Sequence, residues 1–331
     1  MWSGLKACPA YFGGKQKLAD RIINFAQTKL DNPKIFVDAF LGGGSVALTA
    51  KSKGMQVFSN DMATRSELVG KAVIENNKEK ITMEDFYMLT KSNPNKENFV
   101  MENFNTYFPS KVAKFIDNCF SNLVEIEDKV KFNLLKLLIV KYTLQCMPFQ
   151  IMYKMTKNYK GTYWTKVIDF MNNPLNKLRL MMKQINGGII NNGYQNYFFK
   201  MDVIEFLEHL KGITRPDVVY FDPPYYGARP YEYYYLWIDS IIEQKMLGLE
   251  KSKFNKGDWK DLMTKMFEAS EQIPLWIISF GGPKVKPEEL NEIVSQFRKT
   301  QINKFPYHYS MSAKHFKVIN EYLVIAGNWH G

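Results

Sequence analysis

Cysteine is scarce in this chain: Cys8, Cys119 and Cys146 are the three present in 331 residues. They lie far apart, match no metal-ligand spacing and cannot form an even disulfide framework, which argues for a reducing, intracellular setting and against structural zinc or any other metal. Long apolar runs are also missing. The longest, around Leu134 to Val140, is interrupted by Lys136 and followed by Lys141, too short to span a bilayer and suited to a buried helix. No membrane partner is expected. Met1 to Cys8 holds a single Lys and no apolar core, so no secretory signal is expected there. No internal repeat and no long low-complexity tail stands out. Acid is in deficit as well, with 33 Asp and Glu against 44 Lys and Arg and a formal charge of +11. That balance favours a polyanionic partner such as nucleic acid over an acidic protein or a neutral metabolite. The length suits one large α/β core with one inserted domain.

Asp222-Pro223-Pro224-Tyr225 stands directly after the apolar run Asp217-Val218-Val219-Tyr220-Phe221. A buried parallel strand ending in such a turn delivers a carboxylate and an aromatic ring to the strand's carboxyl end, where open α/β sheets keep their chemistry. Two consecutive prolines fix two φ angles and remove two backbone donors, so the carbonyls of Asp222 and Pro223 stay free to accept from a ligand. A carboxylate, a fixed carbonyl and an aromatic face within one short segment suit an amino group on a flat ring. A lone Asp-Pro pair more often merely ends a strand. All four residues, placed after such a strand, favour the functional reading.

Tyr11-Phe12-Gly13-Gly14-Lys15 is a glycine-rich turn, and Leu18, Ile22 and Phe25 recur behind it at helical spacing, which presents Lys15 near a helix N-terminus. Ile35 to Leu41 reads as a strand and Gly42-Gly43-Gly44-Ser45 as the bend opening a helix through Val46 to Lys53. Met55 to Ser59 reads as a second strand, ending at Asn60-Asp61. From Met62 to about Asn186 the pattern turns helical. Strands resume at Tyr197 to Lys200, which ends at Met201-Asp202, followed by a helix from Val203 to Leu210 and the strand that carries Asp222. Beyond a polar and aromatic stretch, Arg229 to Gly257, come a helix capped by Asp258 and strands at Leu275–Phe280 and Tyr322–Ala326. This alternation predicts an α/β fold, a doubly wound and mostly parallel sheet with helices on both faces. Residues 1–61 and 187–331 form its catalytic domain and 62–186 a mainly helical insert. Within the insert Lys154, Lys157, Lys160 and Lys166 interleave with Tyr159, Tyr163 and Trp164. Two readings stand there: phosphate contacts with aromatic packing on sugar or base, or a solvated helix face over core aromatics.

Gly42 to Ala47 fits the G-x-G-x-x-A pattern of dinucleotide sites, and Asp61 lies at the right distance to hold ribose hydroxyls, so an oxidoreductase is a rival reading. Asp38 weighs against it. A carboxylate just before the glycines opposes a pyrophosphate but suits a cation such as a sulfonium with an ammonium group. Asp202 ends another strand and can accept from the exocyclic amine of an adenine, or simply cap the following helix. Three acids at three strand ends fit S-adenosylmethionine better than NAD.

In this order of motifs the chain resembles the Dam-type, D12 adenine-specific DNA N6-methyltransferases. The likeness rests on Tyr11 to Lys15, Phe36 to Ser45, Asn60-Asp61, Asp202, Val219 to Tyr225, Trp276 to Phe280 and Asn320 to Ile325. It implies a sheet of the S-adenosylmethionine-dependent methyltransferase type with an inserted target-recognition domain. It further implies cofactor contacts from Tyr11, Lys15, Asp38, Phe40, Gly42, Gly44, Ser45, Asp61 and Asp202, and base contacts from Asp222, Pro223 and Tyr225. Double-stranded DNA is the expected partner, with a cognate restriction nuclease as a further candidate, in the cytoplasm of a prokaryotic or phage-infected cell. The middle of the chain departs from the family: where many members carry Asn-Arg and Phe-Asn-Gly segments, this one reads Tyr142 to Phe149, so target sequence does not transfer. Cytosine-N4 or RNA methylation, and a DNA-binding protein that keeps the fold without turnover, are the alternatives.

Overall fold

A computed structural model of the chain describes residues 2–9, 14–147, 162–226, 231–249, 258–280, 285–307 and 319–327. Its centre is a seven-stranded sheet in the order β3-β2-β1-β4-β5-β7-β6. The strands are β1 Ile35–Asp38, β2 Gln56–Asn60, β3 Tyr197–Phe199, β4 Val218–Phe221, β5 Leu275–Phe280, β6 Thr300–Tyr307 and β7 Ile319–Gly327. The first five pair in parallel, whereas β7 runs antiparallel to both β5 and β6. The chain winds outward from β1 to β2 and β3, then returns to lay β4 on the other side of β1. That reversal opens a crevice at the carboxyl ends of β1 and β4, the usual ligand position in such sheets.

The period of two along each strand separates two apolar layers. Phe36, Val218, Tyr220, Leu275, Ile277, Leu323 and Ile325 face one cluster, while Val37, Val219, Phe221, Trp276, Ile278, Val324 and Ala326 face the other. On the first face lie α1 Ala19–Lys29 and α2 Ser45–Ser52, followed by a helical run between β2 and β3. That run comprises α3 Thr64–Val69, α4 Met83–Thr90, α5 Phe99–Asn103, α6 Ser110–Asn122, α7 Lys129–Cys146, α8 Thr162–Asn172 and α9 Pro174–Gly187. Its buried residues, among them Val69, Leu134, Leu138 and Met182, share one cluster with the sheet. The segment therefore does not carry a core wholly of its own. On the second face lie α10 Val203–Lys211, α12 Trp259–Ala269 and α13 Pro287–Val294; α11 Tyr231–Glu243, between α10 and α12 along the chain, joins the first-face cluster through Tyr235, Trp237, Ile238, Ile241 and Ile242. No helix among the described residues is long and apolar enough to cross a membrane, and the described residues contain no cluster of His, Cys, Asp and Glu able to hold a metal.

Two elements differ from the sequence reading. Tyr231–Glu243 is a helix where a polar and aromatic stretch is expected, because its apolar residues follow helical spacing: Trp237, Ile238, Ile241 and Ile242 are all buried. Thr300–Tyr307 is an edge strand that the sequence reading passes over. It exposes Gln301 and Lys304 beside Ile302 and carries Pro306, tolerated at an edge where the missing donor costs no ladder bond.

Trp276 anchors the second face. It is fully buried, stacks on Phe267 at 5.1 Å, lies under the Arg298 guanidinium at 4.0 Å and donates from Nε1 to the Ser270 carbonyl at 3.1 Å. Trp276→Ala is expected to cost about 3–5 kcal/mol, measured as a lowered midpoint in urea-induced unfolding.

Candidate active site

Each acid singled out at a strand end is held by its own strand. β1 ends on Asp38, which is buried beside α2. Its Oδ2 accepts from the Ala47 N–H at 3.2 Å, and Oδ1, equally buried, makes no hydrogen bond among the described residues. Burial raises the Asp38 pKa to about 8; the nearby Asp222 and Asp61 carboxylates push the same way, and the N–H groups of Ala47 and Phe40 pull against them. A buried, unsatisfied carboxylate oxygen is costly, and a cation placed against it removes that cost.

Between β1 and α2 the chain turns on Gly42 and Gly44, both with positive φ (+49° and +77°). Gly44 is the residue before the helix, and a Cβ on it would meet Val69 Cγ1 at 2.7 Å, so glycine is required there both for backbone conformation and for space. Asp61, just beyond β2, ties this loop down: it accepts from the Gly42 N–H at 2.8 Å and from the Ala63 N–H at 2.9 Å. Ser45 is buried at the start of α2. Phe40 is half-buried in the loop. Asp202 follows β3 and caps α10, accepting from the Ile204 N–H at 3.0 Å. This is the helix-cap role that competed with an adenine contact, and one carboxylate can serve both.

Asp222 follows β4, whose Tyr220 lies in register with Asp38, so the two acids stand side by side across the crevice. Lys15 Nζ donates to Asp222 Oδ1 at 2.9 Å and lies 3.4 Å from Glu321 Oε1. The Tyr225 hydroxyl donates to the same Glu321 oxygen, and the Tyr225 ring packs near Phe280 and 5.3 Å from Lys15 Nζ. The side chains of Lys15 and Glu321 are 4% and 1% exposed and that of Asp222 is 21% exposed, so Asp222 is the member of the cluster that meets solvent. Burial raises its pKa to about 6; Lys15 opposes, Glu321 reinforces, and hydrogen bonds from Lys15 and Tyr225 oppose again. Burial disfavours the Lys15 cation, but Asp222, Tyr225 and Glu321 hold its pKa well above the ordinary lysine value. The arrangement is a carboxylate that stays ionised near neutrality and points one edge at an open crevice, beside the buried carbonyl-bearing Pro223.

Glu321 has no assigned role in the sequence reading. The available signal is an acid heading an otherwise apolar strand, Glu321-Tyr322-Leu323-Val324-Ile325. Because β7 is antiparallel, its beginning lies at the edge where the parallel strands end: Tyr322 pairs with Phe280, the last residue of β5. Trp237 on α11 is core, between Tyr107 at 6.3 Å and Phe108 at 6.1 Å. Tyr11, Lys154, Lys157, Tyr159 and Lys160 lie outside the described residues; Tyr163, Trp164 and Lys166 are on α8, with no description of their side chains. An open cleft of about 570 Å³ lies elsewhere, between α3, α7 and α11, with Glu67, Lys71, Asn133, Lys136 and Glu243 on its walls. None of the strand-end acids lines it.

The family model described as D12 class N6 adenine-specific DNA methyltransferase matches residues 11–266. The type II methyltransferase M2.HphI of Haemophilus parahaemolyticus is 26% identical over 327 residues, covering 93% of this chain and 93% of that protein. The type II methyltransferase M.FokI of Planomicrobium okeanokoites is 27% identical over 245 residues, covering 68% of this chain but 36% of that longer protein. Among solved structures, the rRNA methyltransferase AviRa of Streptomyces viridochromogenes aligns over 96% of this chain and 87% of its own, with 12% identity and a TM-score of 0.38.

Proposed function

The chain belongs to the D12 class N6 adenine-specific DNA methyltransferase family, and on that premise we infer that it methylates the exocyclic N6 of an adenine flipped out of a specific sequence in double-stranded DNA. Family membership implies S-adenosylmethionine as the methyl donor. The observation that carries the reading is the Asp222 carboxylate, held by Lys15 beside the buried, unsatisfied Oδ1 of Asp38 across the β1/β4 crevice.

The residues present fit the donor. Asp38 offers an acceptor with no competing partner among the described residues, suited to a cationic ligand, and the Gly42 to Gly44 turn permits close backbone approach. Asp61 and Asp202 suit the ribose and the adenine amine, with Tyr11, Phe40 and Ser45 completing the contacts. Lys15, a cation at the same crevice, suits the donor carboxylate as well as Asp222. Once bound, the donor supplies an electrophilic methyl group on sulfur.

The N6 lone pair of adenine is delocalised into the ring and is a poor nucleophile. Asp222 and the Pro223 carbonyl accept from the two N6 hydrogens, which localises the lone pair and stabilises the positive charge that develops on nitrogen. The amine so methylated would carry one surplus proton, which Asp222 or water would accept. Tyr225 contributes an aromatic wall, and stacking of this kind is worth roughly 1–3 kcal/mol per base against an unstacking cost of about a few kcal/mol. Residues 62–186 serve target recognition. Neutralising any one of Lys154, Lys157, Lys160 and Lys166 is expected to lower the salt slope of DNA binding by about 1 if that residue touches phosphate, as read by titrations at several salt concentrations.

Two bacterial relatives are named type II methyltransferases, which supports a restriction-modification setting; a cognate nuclease as partner and a cytoplasmic location are inferred with it. Nucleoside mass spectrometry on unmethylated duplex DNA incubated with the protein and S-adenosylmethionine tests the reading. N6-methyladenine is the expected product. N4-methylcytosine, or methylation confined to RNA, would replace it with one of the alternative substrates.

A further inference from the structure

The methyl-transfer reading leaves Glu321, a buried acid beside the site, without a role. Glu321 is the third residue of β7, and its side chain is 1% exposed. No hydrophobic strand gains by burying a carboxylate, and an unpaired one is strongly unfavourable, so its partners account for its presence. They are two members of the site: Lys15 at 3.4 Å and the Tyr225 hydroxyl, which donates to it.

We propose that Glu321 is a positioning residue for methyl transfer, one that fixes the Tyr225 ring and shares the Lys15 cation so that Asp222 meets the target amine as a strong acceptor. The inference rests on the adenine-N6 reading for its substrate. It concerns a residue outside the set that touches base or donor.

The electrostatics run in one direction. Lys15 stands between two carboxylates. With Glu321 in place the cation is divided between them, and Asp222 keeps a higher proton affinity than it would have as the sole partner of Lys15. A more basic carboxylate draws more strongly on an N6 hydrogen. Removing the Glu321 charge commits Lys15 to Asp222 and weakens Asp222 as an acceptor. The Tyr225 hydroxyl acts oppositely, lowering the proton affinity of Asp222 to the extent that its single proton turns that way; Glu321, to which it donates, draws it off. The groups facing Asp222 are Lys15 from the N-terminal segment, Glu321 from β7, Tyr225 from its own turn, Tyr220 from β4 and Asp38 from β1. None of these described groups is a histidine, and the acidic limb of the activity profile is assigned to Asp222 within this coupled set, which the titration of Asp222 itself tests.

Two variants and two readouts test the proposal. Glu321→Gln keeps the shape and can still accept from Tyr225; Tyr225→Phe removes only the hydroxyl. In Glu321→Gln, kcat should fall roughly 10- to 100-fold with both KM values little changed, and the acidic limb of kcat should move down by roughly one pH unit. In Tyr225→Phe the limb should move up. The second readout needs no turnover: the 13C signal of the Asp222 carboxyl, identified by its absence in Asp222→Asn, is titrated in the full-length protein without DNA. It should shift down in Glu321→Gln and up in Tyr225→Phe. An Asp222 titration unmoved in Glu321→Gln, or a loss in kcat/KM carried by KM alone, overturns the proposal. If Glu321→Gln does not fold, an unmoved Asp222 in Tyr225→Phe overturns it as well. A wild-type protein that yields no N6-methyladenine defeats the adenine reading, while the titration still judges Glu321.

Discussion

Asp222→Ala should lower turnover by at least about 10²–10³-fold while donor binding changes little. The asymmetry follows from what Asp222 touches. Its carboxylate is held by Lys15 and exposes one edge to the crevice, where it meets charge that appears on N6 only as the methyl group arrives. An interaction made in the transition state and absent from the ground state enters kcat and leaves the binding constants alone. Asp222→Asn keeps one acceptor oxygen and should retain more activity than the alanine variant. With the Asp222 pKa at about 6 in the unliganded protein, protonation switches the acceptor off on the acid side, so wild-type activity should fall as pH drops through the acid limb. Single-turnover methylation of duplex DNA, read beside isothermal titration with donor, checks both halves. Equal turnover in Asp222→Ala would remove this residue from the chemistry.

The second large effect concerns Asp38. Asp38→Asn should weaken donor binding by about 10²–10³-fold or more, the usual consequence of truncating one partner of a buried charge pair at about 2–5 kcal/mol. A proton signature accompanies it. Unliganded Asp38 has a pKa of about 8 because it is buried and faces other acids; a cation against Oδ1 lowers that value. Donor binding at neutral pH should therefore release up to one proton, and affinity should rise with pH until it levels off near 8. The folding linkage has the same origin. Asp38 binds its proton more tightly in the native state than in the unfolded chain, so the stability it contributes is complete below about pH 4 and is lost as pH rises through about 8. The stabilisation given by the donor should grow across that window. Calorimetry in buffers of different ionisation enthalpy measures the released proton, and Asp38→Asn should abolish it.

Much of this site is written in short stretches. Gly42 and Gly44 are legible because a tight turn into a helix needs positive φ and room for the backbone. Asp38, Asp61 and Asp222 are legible because each follows an apolar run in a parallel strand, and the carboxyl ends of parallel strands share one edge of the sheet. The helix Tyr231–Glu243 was less legible. Its tyrosines suit a pocket as well as a core, and only packing against Tyr107 and Phe108 assigns Trp237 to the interior.

The sequence by itself determined the order of strands and helices apart from α11 and β6, together with the glycine turn, the strand-end acids and the family, since each is encoded by neighbours within a few residues. Tertiary structure alone decided what those acids face. Lys15 meets Asp222 across 207 positions of chain, and Glu321 joins them because β7 runs against its neighbours, which brings the start of a strand to the edge where the others end. A period of two marks which residues of a strand are buried, but it does not encode the strand's direction within the sheet, and direction is what delivers the fourth member of the site.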